Sequence, residues 1–354
     1  MKRRHFLRAA GALTAGAALS ARAADAIQWK LVTAWPKNFP ALGTGANKLA
    51  ELIGEMSGGR LKVKVFGAGE LVPALEVFDA VAKGTAQMGH GAAYYWKGKA
   101  EASQFFTAVP FGFTGQEMNA WMYYGGGLKL YEEVYAPFGL IPFPAGNSGA
   151  QMGGWFNKEI NGIEDLKGLK MRLPGLGGEV LKRLGGVPQN TPGGEIFTAL
   201  STGALDATEW VGPYNDLAFG LHKAAKHYYY PGWHEAGPSI EGLVNKAAFE
   251  ALPKDLQSIV RNAARVVNDD MMAEYTARNA SALKTLAEQH KVVPKPFPPA
   301  VLKRLREVSL EVVAETATHD PVTKKVHDSF RAFYDQVRPW TAIAEHAYLN
   351  ARAG

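Results

Sequence analysis

The feature that most constrains the fold of this chain is a pair of ten-residue segments that resemble each other. Residues 78–87 are FDAVAKGTAQ and residues 197–206 are FTALSTGALD, an offset of 119 positions. Each copy predicts a helix that ends at a glycine and leads into a short strand and a loop. This period is far too long for a solenoid repeat. Two such units can resemble each other by chance, but we favour two related α/β lobes that face each other.

Strand and helix patterns alternate around the first copy. Apolar and polar residues alternate in 27–31 and again in 61–65, as in strands, whereas apolar residues recur at helical spacing between Leu49 and Met56. Pro73 predicts the start of a helix that runs to about Lys83. This order favours parallel or mixed sheets flanked by helices.

The chain changes character at Pro253. Residues 253–290 contain no internal glycine or proline and predict one helix of roughly 55 Å, longer than one lobe, which would cross both lobes or project into a partner. Pro294 to Pro299 predicts a rigid spacer, followed by a helix to about Thr318 and helical segments to Ala353.

We therefore predict four parts. They are a signal peptide at 1–23, lobe I at 24–145 with part of 236–252 returning to it, lobe II at 146–235, and a helical region at 253–354.

The first 23 residues predict export. Arg3 and Arg4 precede Phe6-Leu7, a weakly apolar run follows, and Ala21-Arg22-Ala23 has the form that signal peptidase accepts. The apolar run is only about 11 residues long, whereas a spanning helix needs roughly 20. We expect a cleaved signal of the twin-arginine type and a periplasmic protein. Export by the Sec route, or a basic amphipathic helix instead of a signal, are the alternatives.

Composition narrows the function further. The chain has 39 basic and 33 acidic residues, but five of the basic ones lie in 1–23, which leaves 34 against 33 in the mature chain. A balance of +1 argues against nucleic-acid or membrane-surface binding. The absence of cysteine excludes disulfides and thiolate sites.

No catalytic motif is complete. Residues 146–150, GNSGA, approach the G-x-S-x-G nucleophile elbow, but Ala150 replaces its last glycine. The glycine-rich segments lack a full dinucleotide-binding pattern, and His234-Glu235 alone is not a zinc motif.

Aromatic and polar residues instead recur where strands are predicted to end. These groups are Tyr94-Tyr95-Trp96, Gln151 to Trp155, Glu209-Trp210 and Trp233-His234-Glu235. Ligands of open α/β sheets bind at the carboxyl ends of strands, and aromatic walls with a few polar groups are typical of small-molecule pockets.

Residues 161–172, NGIEDLKGLKMR, resemble the signature of the substrate-binding proteins of TRAP transporters, the tripartite ATP-independent periplasmic transporters (the DctP-like family). The resemblance covers essentially the whole mature chain, and residues 146–160 resemble the branch that binds 2-oxo monocarboxylates with a metal ion. It implies an α/β, two-lobe periplasmic-binding-protein-like fold with mixed sheets, a long lobe-spanning helix and C-terminal helices.

The resemblance also implies roles for individual residues. Arg172 would pair with the substrate carboxylate, since a guanidinium offers two parallel hydrogen bonds. The metal ligands would be Gln151, Glu209, the Trp210 carbonyl and Glu235, all oxygen donors that suit Na⁺ or Ca²⁺. Gln151, Trp210, Tyr94 and Tyr95 would also contact the substrate, although the sequence does not show which residue of 94–96 faces it.

The implied function is a periplasmic receptor that delivers a pyruvate-like 2-oxoacid to the membrane subunits of a TRAP transporter and is not an enzyme. Lactate or another 2-hydroxy acid is the alternative ligand. An exported metal-assisted hydrolase and a sensor-linked binding module are the alternative classes. The C-terminal helices also resemble those through which members of this branch form homodimers.

Overall fold

The computed structural model describes residues 26–353, so the predicted signal peptide at 1–23 lies outside the described residues. The strands in this range are β1 (Ile27–Thr33), β2 (Leu61–Phe66), β3 (Met88–Gly91), β4 (Leu140–Asn147), β5 (Gly154–Phe156), β6 (Lys170–Arg172), β7 (Val187–Gln189), β8 (Ala207–Thr208), β9 (His227–Tyr230), β10 (Ser239–Asn245) and β11 (Lys295–Pro296). The α-helices are α1 (Leu42–Met56), α2 (Val77–Ala82), α3 (Gly115–Tyr124), α4 (Gly127–Tyr135), α5 (Gly175–Arg183), α6 (Gly193–Ser201), α7 (Pro213–Phe219), α8 (Lys246–Glu250), α9 (Lys254–His290), α10 (Pro299–Thr316), α11 (Pro321–Thr341) and α12 (Ala347–Ala353).

Two mixed sheets organise these elements. The first has the order β2-β1-β3-β10-β4, with β1 parallel to β2 and β3, and β10 antiparallel to β3 and β4. The second has the order β11-β9-β5-β8-β6-β7, in which β6 is parallel to β7 and β8. We call the two sheets with their flanking helices lobe I and lobe II. The predicted α/β class with mixed sheets is confirmed.

Two short chain segments connect the sheets, in addition to the longer crossover through α8 and α9 from β10 to β11. Residues 148–153 lead from β4 in lobe I to β5 in lobe II, and residues 231–238 return from β9 to β10. The segment predicted as a rigid spacer also contributes to lobe II, because Lys295 pairs with Tyr229 across β11 and β9.

The repeated sequence segment forms equivalent structures in the two lobes. Helix α2 leads to β3, and helix α6 leads to β8. Gly84 and Gly203 follow these helices with φ of 75° and 77°, a left-handed conformation that glycine adopts without a steric penalty. The loops after β3 and β8 carry two of the aromatic and polar groups singled out in the sequence.

Helix α9 covers 37 residues and is about 55 Å long at 1.5 Å per residue. Its buried face includes Leu256, Val260, Val267, Met271 and Tyr275. This face packs against β4 and α1 of lobe I and against α7 of lobe II. The helix therefore contacts both lobes, as its length predicted.

The C-terminal helices leave apolar side chains exposed. Trp340, Ile343 and Tyr348 are each more than 60% exposed near the end of the chain. Within residues 26–353, none of the helices combines the length and the apolar character that crossing a membrane requires.

Candidate ligand-binding site between the lobes

Arg172 lies at the centre of the candidate site. It is the last residue of β6, and its side chain is 1% exposed. One guanidinium nitrogen, Nη1, donates to Glu209 Oε1 and, at 3.2 Å, to the Glu209 backbone carbonyl. Nη2 donates to the Tyr95 hydroxyl at 3.0 Å. Because Tyr95 belongs to lobe I and Arg172 to lobe II, these contacts join the two sides of the cleft.

The aromatic run after β3 divides between the site and the core. Tyr95 accepts a hydrogen bond from Arg172, and Tyr94 lies near enough to Glu235 to lower the pKa of that carboxyl. Trp96 instead points into lobe I, where its indole nitrogen donates to Glu241. Tyr94 and Tyr95 therefore lie beside the buried charged groups, Trp96 belongs to the core, and the substrate contacts of the two tyrosines stay predictions.

Gln151 and Glu235 lie on the two connecting segments. Gln151 Nε2 donates to Glu235 Oε2 and to Ser148 Oγ, both at 3.0 Å. The segments also pair through their backbones, since Gln151 N donates to the Glu235 carbonyl and Gly232 N donates to the Gln151 carbonyl. A Cβ on Gly232 would lie 2.4 Å from that carbonyl oxygen, so this close approach requires glycine.

Trp210 closes one side of the site. The Arg172 guanidinium lies 4.8 Å from the centre of its indole ring, within the range of a cation–π contact. Trp35 and Phe39 of lobe I pack edge-on against the same ring at 6.0 and 6.2 Å. The indole thus lies between the cation and an apolar surface of the opposite lobe.

Three ionisable side chains meet beside Arg172. One potential ligand atom from each of Glu209, His234 and Glu235 lies within 4.8 Å of the others, and all three residues are buried. Burial raises the pKa of the Glu235 carboxyl well above its usual value and Glu209 raises it further, whereas Arg172 acts in the opposite direction. Burial is the largest single influence on the pKa of Arg172 and lowers it, but Glu209 and Glu235 with the two tyrosines together outweigh burial, so that the pKa rises and the guanidinium stays charged.

The residues present fit a hard cation. Among the described residues, Glu209 Oε2 and Gln151 Oε1 are buried without a hydrogen-bond partner. Buried polar atoms are nearly always paired, so two such oxygens facing one cluster indicate a site for a further group. Carboxylate and amide oxygens are ligands that Na⁺ and Ca²⁺ accept. No contact in the structure tests the predicted role of the Trp210 carbonyl.

His234 is the residue that the sequence analysis missed. A lone His-Glu pair is not a metal motif, yet the side chain of His234 faces Glu209. Its position next to Glu235, in one of the four groups at strand ends, was the available signal. Ser148, which orients Gln151, had been considered only as part of an incomplete nucleophile elbow.

Residues 31–320 match the family described as bacterial extracellular solute-binding protein, family 7 (DctP). The chain belongs to this family. Its members are solute receptors of TRAP transporters, as the resemblance of residues 161–172 implied.

Individual relatives of this family 7 protein match over nearly their full length. A monocarboxylate 2-oxoacid-binding periplasmic protein from Nostoc sp. is 46% identical over 363 residues, which cover 99% of this chain and 98% of the relative. A TRAP solute-binding protein from Pseudoalteromonas atlantica with bound sodium and pyruvate is 46% identical, with a TM-score of 0.89 over 92% of this chain and 99% of its own.

A third relative, from Colwellia psychrerythraea, has bound calcium and pyruvate. It is 44% identical, with a TM-score of 0.89 over 92% of this chain and 99% of its own. The predicted family and its two-lobe fold are thereby confirmed for this chain.

Proposed function

We propose that this protein is a periplasmic receptor that binds a 2-oxo monocarboxylate such as pyruvate together with Na⁺ or Ca²⁺. It would deliver this ligand to the membrane subunits of a TRAP transporter. The observation that carries the proposal is the buried guanidinium of Arg172 beside a cluster of buried oxygens, two of which have no partner among the described residues. Gln151, Glu209, Glu235 and the Trp210 carbonyl would hold the ion.

Charge explains why an ion and a carboxylate would bind together. Glu209 already pairs with Arg172, and Glu235 lies close by, so an incoming carboxylate adds negative charge to a buried site. Unpaired buried charge is costly. A cation between the acids and the ligand turns this repulsion into shared coordination, and the 2-oxo oxygen offers the ion a second ligand atom beside the carboxylate.

The relatives support this ligand class. Two structures that are 44–46% identical to this chain hold pyruvate, one with sodium and the other with calcium. The relative from Nostoc sp. is a monocarboxylate 2-oxoacid-binding protein. We therefore propose pyruvate or a close 2-oxoacid ahead of lactate, and a receptor ahead of a metal-assisted hydrolase.

Calorimetry tests the proposal directly. Protein that has been unfolded, stripped of retained ligand and refolded should bind pyruvate with micromolar or tighter affinity in the presence of Na⁺ or Ca²⁺. It should bind acetate much more weakly, because acetate lacks the second oxygen. The pyruvate should be recovered unchanged, as expected of a receptor. Absence of binding to pyruvate, lactate and other 2-oxoacids would refute the ligand class.

Removal of the ion tests the second half of the proposal. Chelator-treated, sodium-free protein should bind pyruvate weakly, and addition of Na⁺ or Ca²⁺ in separate titrations should restore affinity. Equal affinity with and without the ions would mean that Glu209 and Glu235 have no ion to hold, and the metal assignment would then be withdrawn.

We also propose export by the twin-arginine route and cleavage near Ala23. The support is the sequence of residues 1–23 alone. Replacement of Arg3 and Arg4 by lysine should block export, whereas unchanged export would indicate the Sec route.

A homodimer through the C-terminal helices is a further part of the proposal. Its support is the exposed apolar surface of Trp340, Ile343, Tyr348 and Leu349. Light scattering should give the mass of a dimer for the full chain. A monomer at the same concentration would contradict this part and leave the ligand site unaffected.

A further inference from the structure

We infer that His234 is a positioning residue that holds Glu209 in the orientation that binds the ion. The inference rests on the proposed function, because it assumes that Glu209 is an ion ligand. It adds a residue that none of the predicted roles includes, and it explains how a buried carboxylate with one free oxygen keeps a defined direction.

The two oxygens of Glu209 have different neighbours. Oε1 is paired with Arg172, whereas Oε2 lies 3.5 Å from His234 Nε2. Within the described part of the chain, neither Oε2 nor either ring nitrogen of His234 has a hydrogen-bond partner. Both side chains are at most 1% exposed. A neutral imidazole with its proton on Nε2 presents a donor to this oxygen and needs only a small shift to complete the hydrogen bond.

The surroundings of His234 restrict where its ring can go. A Cβ on Gly177 would lie 3.0 Å from the His234 Cβ, so helix α5 approaches the histidine closely. The Trp233 ring packs edge-on against the imidazole at 5.5 Å. The Trp233 carbonyl accepts a hydrogen bond of 2.8 Å from Phe111 N, which fixes the adjacent backbone. The imidazole is therefore held next to Glu209 from both sides.

Such an arrangement defines the direction of the carboxylate. Arg172 restrains one oxygen and His234 restrains the other, while each oxygen keeps a lone pair for the ion. Side chains that orient a metal ligand without touching the metal typically contribute roughly 10–100-fold to metal affinity. The effect of His234 should therefore appear in ion affinity, and much less in the affinity for the carboxylate once the ion site is saturated.

The test compares two substitutions at one position. His234→Leu removes the donor, whereas His234→Gln keeps a side-chain N–H group at a similar distance from the backbone. His222→Leu is the control, because the ring nitrogens of the half-buried His222 also have no hydrogen-bond partner among the described residues, but the ring packs against His290 at 4.1 Å rather than facing the cluster.

Ion binding is measured without ligand, by terbium luminescence sensitised by nearby tryptophan and by competition with Ca²⁺. His234→Leu should raise the half-saturating Ca²⁺ concentration roughly 10–100-fold. His234→Gln should recover most of the lost Ca²⁺ affinity, and His222→Leu should leave the half-saturating Ca²⁺ concentration unchanged. At saturating Ca²⁺, the pyruvate Kd of all three variants should stay within about threefold of the unmodified protein, which is less than the tenfold change that 1.4 kcal/mol produces.

Two outcomes would overturn this inference and leave the proposed function intact. One is an unchanged Ca²⁺ requirement in His234→Leu, while the unmodified protein binds pyruvate in an ion-dependent way. The other is equal loss in the Leu and Gln variants, together with weak pyruvate binding at saturating Ca²⁺ and a lowered unfolding temperature, which would indicate a packing role. If the unmodified protein binds pyruvate without any ion, the ion site itself fails, and this inference fails with it.

Discussion

Two groups of buried acids in this protein differ in how their oxygens are satisfied. Glu241, on β10 in lobe I, is 1% exposed and receives hydrogen bonds from Trp96, Tyr131 and Tyr135. Glu209 and Glu235, between the lobes, are equally buried, but Glu209 Oε2 has no partner within residues 26–353. Glu241 is therefore surrounded by neutral hydrogen-bond donors. Glu209 and Glu235 instead lie beside the charged guanidinium of Arg172 and the amide oxygen of Gln151, which has no hydrogen-bond partner among the described residues.

The difference separates a structural acid from a binding site. Burial raises the pKa of Glu241, and its three donors act in the opposite direction. Every donor comes from the same lobe, so the network can form when lobe I folds. At Glu209 and Glu235 the partners come from both lobes and from the two connecting segments. That cluster is complete only when the lobes are together, which is what a receptor that closes on its ligand requires.

The largest effect should follow loss of the Arg172 guanidinium, which contacts Glu209 directly. Arg172→Ala should weaken pyruvate binding by roughly 30-fold or more, because breaking a buried charged hydrogen-bond pair costs roughly 2–5 kcal/mol. Arg172→Lys should also bind poorly, since it keeps the charge but not the paired donors. Calorimetry checks both variants, with Arg183→Ala, an exposed arginine paired with Glu315, as the control. Near-normal affinity in Arg172→Lys would show that the guanidinium does not hold the carboxylate.

A fourth buried acid, Asp216, extends the comparison to pH. Asp216 accepts hydrogen bonds from Tyr228 at 2.7 Å and Trp155 at 3.0 Å, yet burial raises its pKa from 3.8 to about 7. The folded state therefore holds a proton that the unfolded state releases. The free energy of unfolding should fall as the pH rises from about 4 to about 7, by up to roughly 4 kcal/mol at about 1.4 kcal/mol per pKa unit.

Asp216→Asn should remove this part of the pH dependence. Urea unfolding between pH 4 and 8 measures the free energy of unfolding of the unmodified protein and of the variant. The unmodified protein should lose stability relative to the variant as the pH rises over that range. If the stability of the unmodified protein relative to the variant stays constant or increases as the pH rises, Asp216 is ionised in the folded protein at pH 4.

The smallest effect distinguishes the two groups of acids most sharply. Glu209→Gln should raise the Na⁺ or Ca²⁺ concentration needed for pyruvate binding about tenfold or more, because the ion loses a charged ligand. Glu241→Gln should leave this requirement unchanged and alter only stability. Ion titrations at fixed pyruvate and thermal unfolding measure the two effects. Equal ion requirements in the two variants would contradict the assignment of Glu209.

Much of the fold could be predicted because local patterns determine it. The two similar helix–glycine–strand units form α2–β3 and α6–β8, and the run after Pro253 without internal glycine or proline forms α9. In each case the feature that specifies the element, a hydrophobic period, a glycine or a proline, lies in that element or within a few residues of it. The family could be identified for a related reason, since residues 161–172 form a contiguous signature.

The site was predicted only in part. Arg172, Glu209, Gln151 and Glu235 were named through family resemblance, and the structure brings them together around one buried cluster. The sequence alone did not show which of Tyr94, Tyr95 and Trp96 faces the ligand. In the structure Tyr94 and Tyr95 reach the cluster, and Trp96 turns to Glu241 in the core of lobe I.

By itself, the sequence determined the elements of this protein, their order, the family and the residue types available for an ion and a carboxylate. Only the tertiary structure decided which of those side chains share one site. Arg172 meets Tyr95 across 77 positions, and His234 meets Glu209 across 25, because β6, β8 and the two connecting segments converge between the lobes. Distances between elements depend on how the two sheets pack against each other, and no local pattern carries that information.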